Sequence, residues 1–432
     1  MKKIIYSFAL GLFLMNHTAL AKSSNVTFES AEHIFMGDQV VLTGLGQKTG
    51  DQPIQLTLEN GLQLTYGEIL AMPDFYGDPN HAISSEITLK KRKQRFSKIF
   101  SSFAQNDVAY FNAFWPIIQN ERDAVMKAVK AHEDVSKVYS QIRDKEDIAL
   151  AIATKFKYVD LALTDFDHFK QDAVDAYQAG HAVAIDTALT GFQINSGNNS
   201  IVNAYCQQTV NYLLCLQQQA NNQLILAYAQ NAFASYFLSD RFAAGHMRTP
   251  YRALYQTRPI AIMGALSGNL MHGEDNRLGV VVTNNSGNYW IAYGDDYYFS
   301  EKNNANRIII KTTLQASADE INAAFQTGVD ADPQSKNIID SIPVPIDPAQ
   351  TVTIDGVRVQ QTAPLYQVTL GGVWQRIDVN NQNDDQWTPI WSTLLTLLTY
   401  HSPDQENISA KWQMILSRHH MKRTLNKLGM NF

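Results

Sequence analysis

Residues 201–252 read IVNAYCQQTVNYLLCLQQQANNQLILAYAQNAFASYFLSDRFAAGHMRTPYR, and this stretch decides the fold. Apolar side chains recur at three- and four-residue spacing from 201 to 238, the period of a helix with a buried face. Asp240 and His246 follow directly. Six apart, they do not share a face of one straight helix. They converge only if the helix ends near Gly245, and Pro250 makes an ending nearby expected. The same spacing runs through 97–130, 147–163, 172–190 and 254–271. From about 95 to 275 the chain reads as mainly α.

Outside this block the pattern changes. Ile54–Leu58 and Leu62–Tyr66 alternate around Glu59-Asn60-Gly61, which predicts a hairpin. Lys90–Arg95 (KKRKQR) is a basic run, a solvated helix face or a contact for anionic lipid headgroups. Gly191–Ser200 reads as a loop between helices. Beyond 279 the strand candidates are Gly279–Thr283, Asn288–Tyr293, Val352–Gln360 and Leu365–Leu370. Asp330–Pro348, with four prolines, reads as a linker or exposed loop. Asp378–Asp385 has oxygen ligands but no calcium-loop glycine or terminal Glu, so a polar turn is expected. Trp374, Trp387 and Trp391 suit core packing, or a membrane interface. Ser392–Tyr400 and Ala410–Asn426 are expected to end the chain as helices. The expected division is a helical part over 22–300 and a smaller α+β part over 301–432.

The chain has 432 residues, 18% charged and 45% hydrophobic, enough for a large core. A formal charge of -6 gives no sign of a nucleic-acid partner. Two cysteines exclude a disulfide-dense scaffold and a Cys-rich zinc module. Residues 1–21, MKKIIYSFALGLFLMNHTALA, combine Lys2 and Lys3, an apolar run and a small-x-small end, the pattern of a secretory signal peptide. Its removal takes the charge from -6 to -8. The expected mature protein passes through a bacterial periplasm and is secreted, with no transmembrane segment. Cys206 and Cys215 are then a disulfide or two buried thiols.

The chemistry-bearing residues cluster near turns. Asp74 sits in MPDFYG, His168 in DHF, His181 after Gly180, and His272 with Asp275 in MHGEDN. Imidazole and carboxylate are the ligands zinc accepts when thiolate is absent. His272 and Asp275, three apart, share a helix face. Arg248 would lie close to bound metal, where a phosphate needs a cation. No G-x-S-x-G, P-loop or H-E-x-x-H occurs. Two acids flanking a sugar stay open, because carboxylate separation in space is invisible in a sequence.

At these residues the chain resembles a known family. DRFAAGHMRTPYR (240–252), DFYG (74–77), DHF (167–169), AYQAGH (176–181) and LMHGEDNRLGVVVTNNSGNYWIAYGDDYYF (270–299) look like the secreted bacterial zinc metallophospholipases C, over roughly residues 27–300. More distantly, the order of motifs is similar to the all-helical fold of zinc phospholipase C and P1-type nuclease. The resemblance implies two or three zinc ions and hydrolysis of phosphatidylcholine and related glycerophospholipids. It implies a phospholipid substrate, contact with a membrane surface, no nucleic acid and a monomer.

Carried over residue by residue, Asp74 would be a bridging carboxylate and general base, and His33, His168, Asp240, His246 and His272 metal ligands. Arg248 would bind phosphate. The chain departs from the wider fold at Tyr236, where that fold has His, and at Asn276, where it has Glu. Asp275 or Glu274 would then take the Glu role, with His181 as a spare ligand. The rival expectations are a zinc nuclease or phosphomonoesterase of the same fold, and a non-catalytic secreted binding protein with a relic metal site.

Overall fold

The computed structural model describes residues 29–45, 53–106, 108–164, 166–257, 261–330 and 336–390, with Thr396, Thr399 and Tyr400. The signal segment, Trp391, the 410–426 helix and most of the 392–400 helix lie outside the described residues.

The chain starts with α1 (Ser30–Asp38), the hairpin β1 (Gln55–Thr57) and β2 (Gln63–Thr65), and α2 (Tyr66–Leu70). The hairpin is antiparallel, with Leu56 opposite Leu64. Thr65 starts α2 with a capping box: its hydroxyl accepts the Glu68 N–H at 3.0 Å, and Glu68 accepts the Thr65 N–H at 2.9 Å. Short 3-10 turns follow at Met72–Asp74 and Ile83–Ser85.

The helical body then runs through α3 (Leu89–Ala104), α4 (Ala109–Ala131), α5 (Val135–Ala153) and α6 (Lys157–Thr164). The periodic stretches 97–130 and 147–163 are thus each broken. Lys155 and Phe156 take positive φ of 51° and 67° between α5 and α6. A 3-10 turn at Phe166–His168 leads into α7 (Lys170–Asn195), α8 (Ser200–Cys206) and α9 (Tyr212–Asp240). α7 and α9 form the most extensive helix pair. Both carry small residues on the shared face, with Ala176, Ala179 and Ala184 facing Ala227, Ala234 and their neighbours in one core. Cys206 and Cys215 are disulfide-bonded.

Next come α10 (Ala244–Arg248), α11 (Tyr251–Thr257) and α12 (Ala261–Leu278), then β3 (Val280–Thr283) and β4 (Tyr289–Ala292). α9 ends at Asp240 and the chain re-forms a helix at Ala244, so Asp240 and His246 do converge across a break.

Two expectations need correction beyond this point. The helical body does not stop near 300. α13 (Asn304–Thr327) packs on α7 and α9, and the Tyr177 hydroxyl donates to Ser317 at 2.8 Å. The stretch 330–348 is not all linker. It contains α14 (Lys336–Ile339) and β5 (Val344–Pro345), and β5 pairs with β3 in the sheet β4-β3-β5.

The remaining strands are small. Val352–Gln360 is not one strand but a hairpin of β6 (Thr351–Ile354) and β7 (Val357–Gln360). Asp355 and Gly356 turn it with φ of 49° and 81°, the primed geometry of an Asp-Gly turn. β8 (Tyr366–Thr369), β9 (Gly372–Arg376) and β10 (Trp387–Pro389) form an antiparallel sheet. Residues 378–386 form successive side-chain-to-backbone turns at Asp378, Asn381 and Asp384. Among the described residues no helix is long and apolar enough to cross a membrane.

This C-terminal part grips α12. Buried Arg376 donates to both oxygens of Glu274 at 3.0 Å each, and the Tyr400 hydroxyl reaches Glu274 at 3.0 Å.

Candidate metal centre

Five segments meet at the C-terminal end of α9. α1 brings His33, the 72–74 turn brings Asp74, the 166–168 turn brings His168, α9 brings Tyr236 and Asp240, and α10 brings His246. All these side chains are buried or nearly so. Asp240 sits among three imidazoles. Its Oδ1 is 3.5 Å from His33 Nε2. Its Oδ2 is 2.9 Å from His168 Nδ1 and 4.0 Å from His246 Nδ1.

Tyr236 is the unexpected member. Its hydroxyl donates to Asp74 Oδ1 at 2.7 Å and lies 2.8 Å from His168 Nδ1. The ring leans on His33, with centroids 4.5 Å apart. Tyr236 therefore falls inside the centre and ties Asp74 to His168.

His246 is oriented by its backbone surroundings. Nδ1 lies 2.9 Å from the carbonyl of His168. A ring that donates from Nδ1 keeps its lone pair on Nε2. His246 Nε2 is buried and has no hydrogen-bond partner among the described residues. Phe169 stacks on the ring at 4.8 Å, and the His272 ring stands edge-on at 4.7 Å. Burial first, then His272 and His168, holds His246 well below the usual histidine range. It is a neutral nitrogen donor.

A second group forms on the far side of His246. His272 Nε2 on α12 lies 3.3 Å from Asp295 Oδ2. Asp295 follows β4, and its Oδ1 is buried without a hydrogen-bond partner among the described residues. Burial, then the acidic neighbours Glu32, Asp296, Glu29 and Asp240, pushes this carboxyl well above the usual range. Asn276 organises the group. Its amide donates to Asp295 Oδ2 at 2.8 Å, and its carbonyl accepts the Gly245 N–H at 2.5 Å. Close approach demands the two glycines here. A Cβ on Gly245 would lie 2.4 Å from His272 Cδ2, and one on Gly294 would lie 1.7 Å from Asn276 Oδ1.

Two sets of residues can therefore hold a metal ion: His168, Asp240 and His246, and His246, His272 and Asp295. Within each, one ligand atom per residue lies within 4.8 Å of the others. The donors fit. Neutral imidazole nitrogens and carboxylate oxygens converge in a dry space with more acid than base, which a cation stabilises.

Five expected site residues are not in these sets. His33 and Asp74 border the first set, His33 Nε2 at 3.5 Å from Asp240 and Asp74 on the Tyr236 hydroxyl. The other three, Asp275, Arg248 and His181, are engaged otherwise. Asp275 is no ligand in this arrangement. Arg248 clamps both its oxygens, Nε at 2.8 Å and Nη2 at 2.6 Å. Arg248 spends its other contacts on Thr362, with Nη1 on the carbonyl at 2.7 Å and Nη2 on the hydroxyl at 3.0 Å. Its fork is built into the fold, anchoring α10 to α12 and the C-terminal part. His181 is not a spare ligand either. Its Nδ1 lies 2.8 Å from Asn231 Oδ1 and its Nε2 3.0 Å from Glu320 Oε2, within the helical body.

Asp295 was not anticipated, although it stands in the quoted GDD run at 294–296. A pocket beside Asp74 was also missed. It is lined by Glu29, Glu121, Arg143, Glu146, Asp147 and Tyr158. The only signal in the sequence was the scattered acids of α1, α4 and α5.

Comparison with protein-family models, with curated proteins and with solved structures returned no match.

Proposed function

We propose that this protein is a zinc-dependent phospholipase C, an exported hydrolase that cleaves the glycerol–phosphate bond of glycerophospholipids to diacylglycerol and a phosphorylated headgroup. One observation carries the reading. Two adjacent His/Asp sets share His246, whose Nε2 is buried without a hydrogen-bond partner, as is Asp295 Oδ1. Both cysteines are used in the disulfide, so the donor set is nitrogen and oxygen, the chemistry of hydrolytic zinc. The motif resemblance at 240–252 and 270–299 supplies the preference for lipid over nucleic acid.

Bound zinc would supply Lewis acidity toward phosphoryl oxygens and acidify water. The protein does the positioning. Tyr236 fixes one oxygen of Asp74, so that Asp74 is the carboxylate aimed to take a proton from the attacking water. Phe169 and Tyr251, stacked at 4.6 Å, wall His246 and His272 from solvent. Asn276 sets the orientation of Asp295. Arg248 acts by holding Asp275, not by binding phosphate.

The test is metal content of mature protein purified without chelator, paired with hydrolysis of phosphatidylcholine vesicles and of single-stranded DNA. Two or three zinc ions per chain with lipid turnover is the expected result. Metal with DNA turnover alone would move the reading to a nuclease. No metal, with none rebound on zinc addition, would overturn it.

A further inference from the structure

The two ends of α9 differ in kind. Its C-terminal end carries the candidate centre. Its N-terminal end belongs to a stretch without formal charge: no Asp, Glu, Lys, Arg or His occurs between Asp186 and Asp240, in a chain that is 18% charged. The tip of that stretch is the turn from α8 to α9, closed by the Cys206–Cys215 disulfide. It holds large side chains in solvent: Ile201 is 82% exposed, Tyr205 58%, Leu213 74% and Leu214 48%, and Val210 is fully exposed. Single exposed apolar residues are ordinary, but a cluster of five marks an interaction surface.

From this we infer that the 200–215 tip is a docking surface for a phospholipid bilayer. Three observations select that occupant. An interfacial segment without charge enters the headgroup region with no ion to desolvate. The Gln207, Gln208 and Asn211 amides beside it match headgroup hydrogen bonding. The disulfide holds the turn in shape, so presenting it costs little further order.

A further observation is continuity with the centre. α7 starts at Lys170, beside His168, and runs to Asn195 below the tip. Midway, a groove of about 730 Å³ opens between α7 and α3, lined by Leu89, Lys90 and Lys93 on one side and Val183, Thr187 and Thr190 on the other. Next to it Ile87 is 93% exposed and Leu89 39%. The loop that carries Ile87 hangs on the centre itself: Asp167 accepts the Ile83 and Ser84 N–H groups at 2.6 and 2.9 Å. α9 spans roughly 40 Å at 1.5 Å per residue. The groove and the Ile87 loop lie along that length, between the tip and the centre. Exposed Lys90 on this path complements lipid phosphates, while Lys91 lies 3.8 Å from Glu86 and Lys93 pairs with Asp186. The net charge, -6 for the whole chain and -8 without residues 1–21, leaves apolar contact as the main attraction.

The inference rests on the lipid-hydrolase reading only for its purpose, and the experiment separates the two. Mature protein is sedimented with phosphatidylcholine vesicles, alongside the Ile201→Ser/Leu213→Ser/Leu214→Ser variant. Both are also assayed on dihexanoyl phosphatidylcholine dispersed below its micelle concentration. The variant is expected to lose about ten-fold or more in vesicle partition and in vesicle turnover. Its melting temperature and its turnover of dispersed lipid stay unchanged. Added salt is expected to alter partition little, within about two-fold. Equal partition of the two proteins overturns the inference. So does a wild-type dimer in light scattering that the variant abolishes, since a second copy would then cover the tip. Partition lost by the variant, with no lipid hydrolysed by either protein, upholds the docking surface and removes the phospholipase reading.

Discussion

His246 belongs to both ion-binding sets, and the two halves around it are built differently. On the α9 side, His168 sits in a web of the protein's own protons, while the Asp240 carboxylate lies among the imidazoles of His33, His168 and His246. Tyr236 bridges Asp74 and His168, and Ser239 reaches His33 at 3.1 Å. On the α12 side, His272 and Asp295 are held by Asn276, while His246 Nε2 and Asp295 Oδ1 have no hydrogen-bond partner among the described residues. A buried polar atom without a partner costs about 1–3 kcal/mol, and an ion that binds it removes that cost. An ion entering the α9 side must displace hydrogen bonds already made. The α12 side is therefore the tighter half, and a chelator should empty the α9 side first.

The largest expected effect comes from breaking the shared residue. His246→Ala removes Nε2, the one ligand nitrogen that either set can use once Nδ1 faces the His168 carbonyl. Metal content should fall by at least the ion held there and turnover by more than about a hundred-fold, with helical circular dichroism retained. Asp295→Asn and His168→Ala each strike one half and should each remove one ion. If His246→Ala keeps two ions, the halves do not meet at this residue. If Asp295→Asn loses no ion while His168→Ala loses both, the order of the halves is reversed.

A smaller change sharpens the contrast. Asn276→Ala leaves every ligand in place but releases Asp295. Affinity at the α12 half should drop about 10- to 100-fold, as for other groups that orient metal ligands. The α9 half should respond less, through the lost Gly245–Asn276 bond beside His246. Competition titration with a coloured chelator reads both. Equal weakening of the two halves would mean that they bind as one unit.

How much of this was legible in the sequence follows the same division. The helical body was visible because apolar period survives in one dimension; an ending was expected near Gly245, whereas α9 ends at Asp240 and Gly245 lies inside α10. His168, Asp240, His246 and His272 were picked out because each has small or turn-forming neighbours in the sequence and falls in a motif of the resemblance. Asp295 was not, because its role depends on β4 delivering it to α12, a tertiary contact with no local spacing rule. Asp275 was misread for the complementary reason. Helical spacing put it near His272, but Arg248 and Thr362, distant in sequence, decided what it touches. Tyr236 was noted as a departure, yet its bond to Asp74, 162 positions away, is visible only in three dimensions. The boundary near 300 failed because α13 continues the helical core after two strands have intervened.

The smallest expected effect lies beside the α9 half, where Asp74 also lines the acidic pocket. Burial pushes Glu29 up to about 8 from 4.5, with Arg143 pulling it down and Asp296, Asp147 and Glu146 pushing it further up. Between those two values the folded chain holds more protons than the unfolded chain, so this group's contribution to stability is lost as pH rises through the window. Glu29→Gln removes the titration and mimics the neutral form. In metal-free protein the variant should melt with the wild type near pH 5 and above it at pH 9, in paired thermal scans. A variant that melts below the wild type at both pH values would show Glu29 ionised throughout, held by Arg143. The α9 half would then stand beside a fixed negative charge rather than a protonated carboxyl, and the argument for its weaker ion would need that charge added to it.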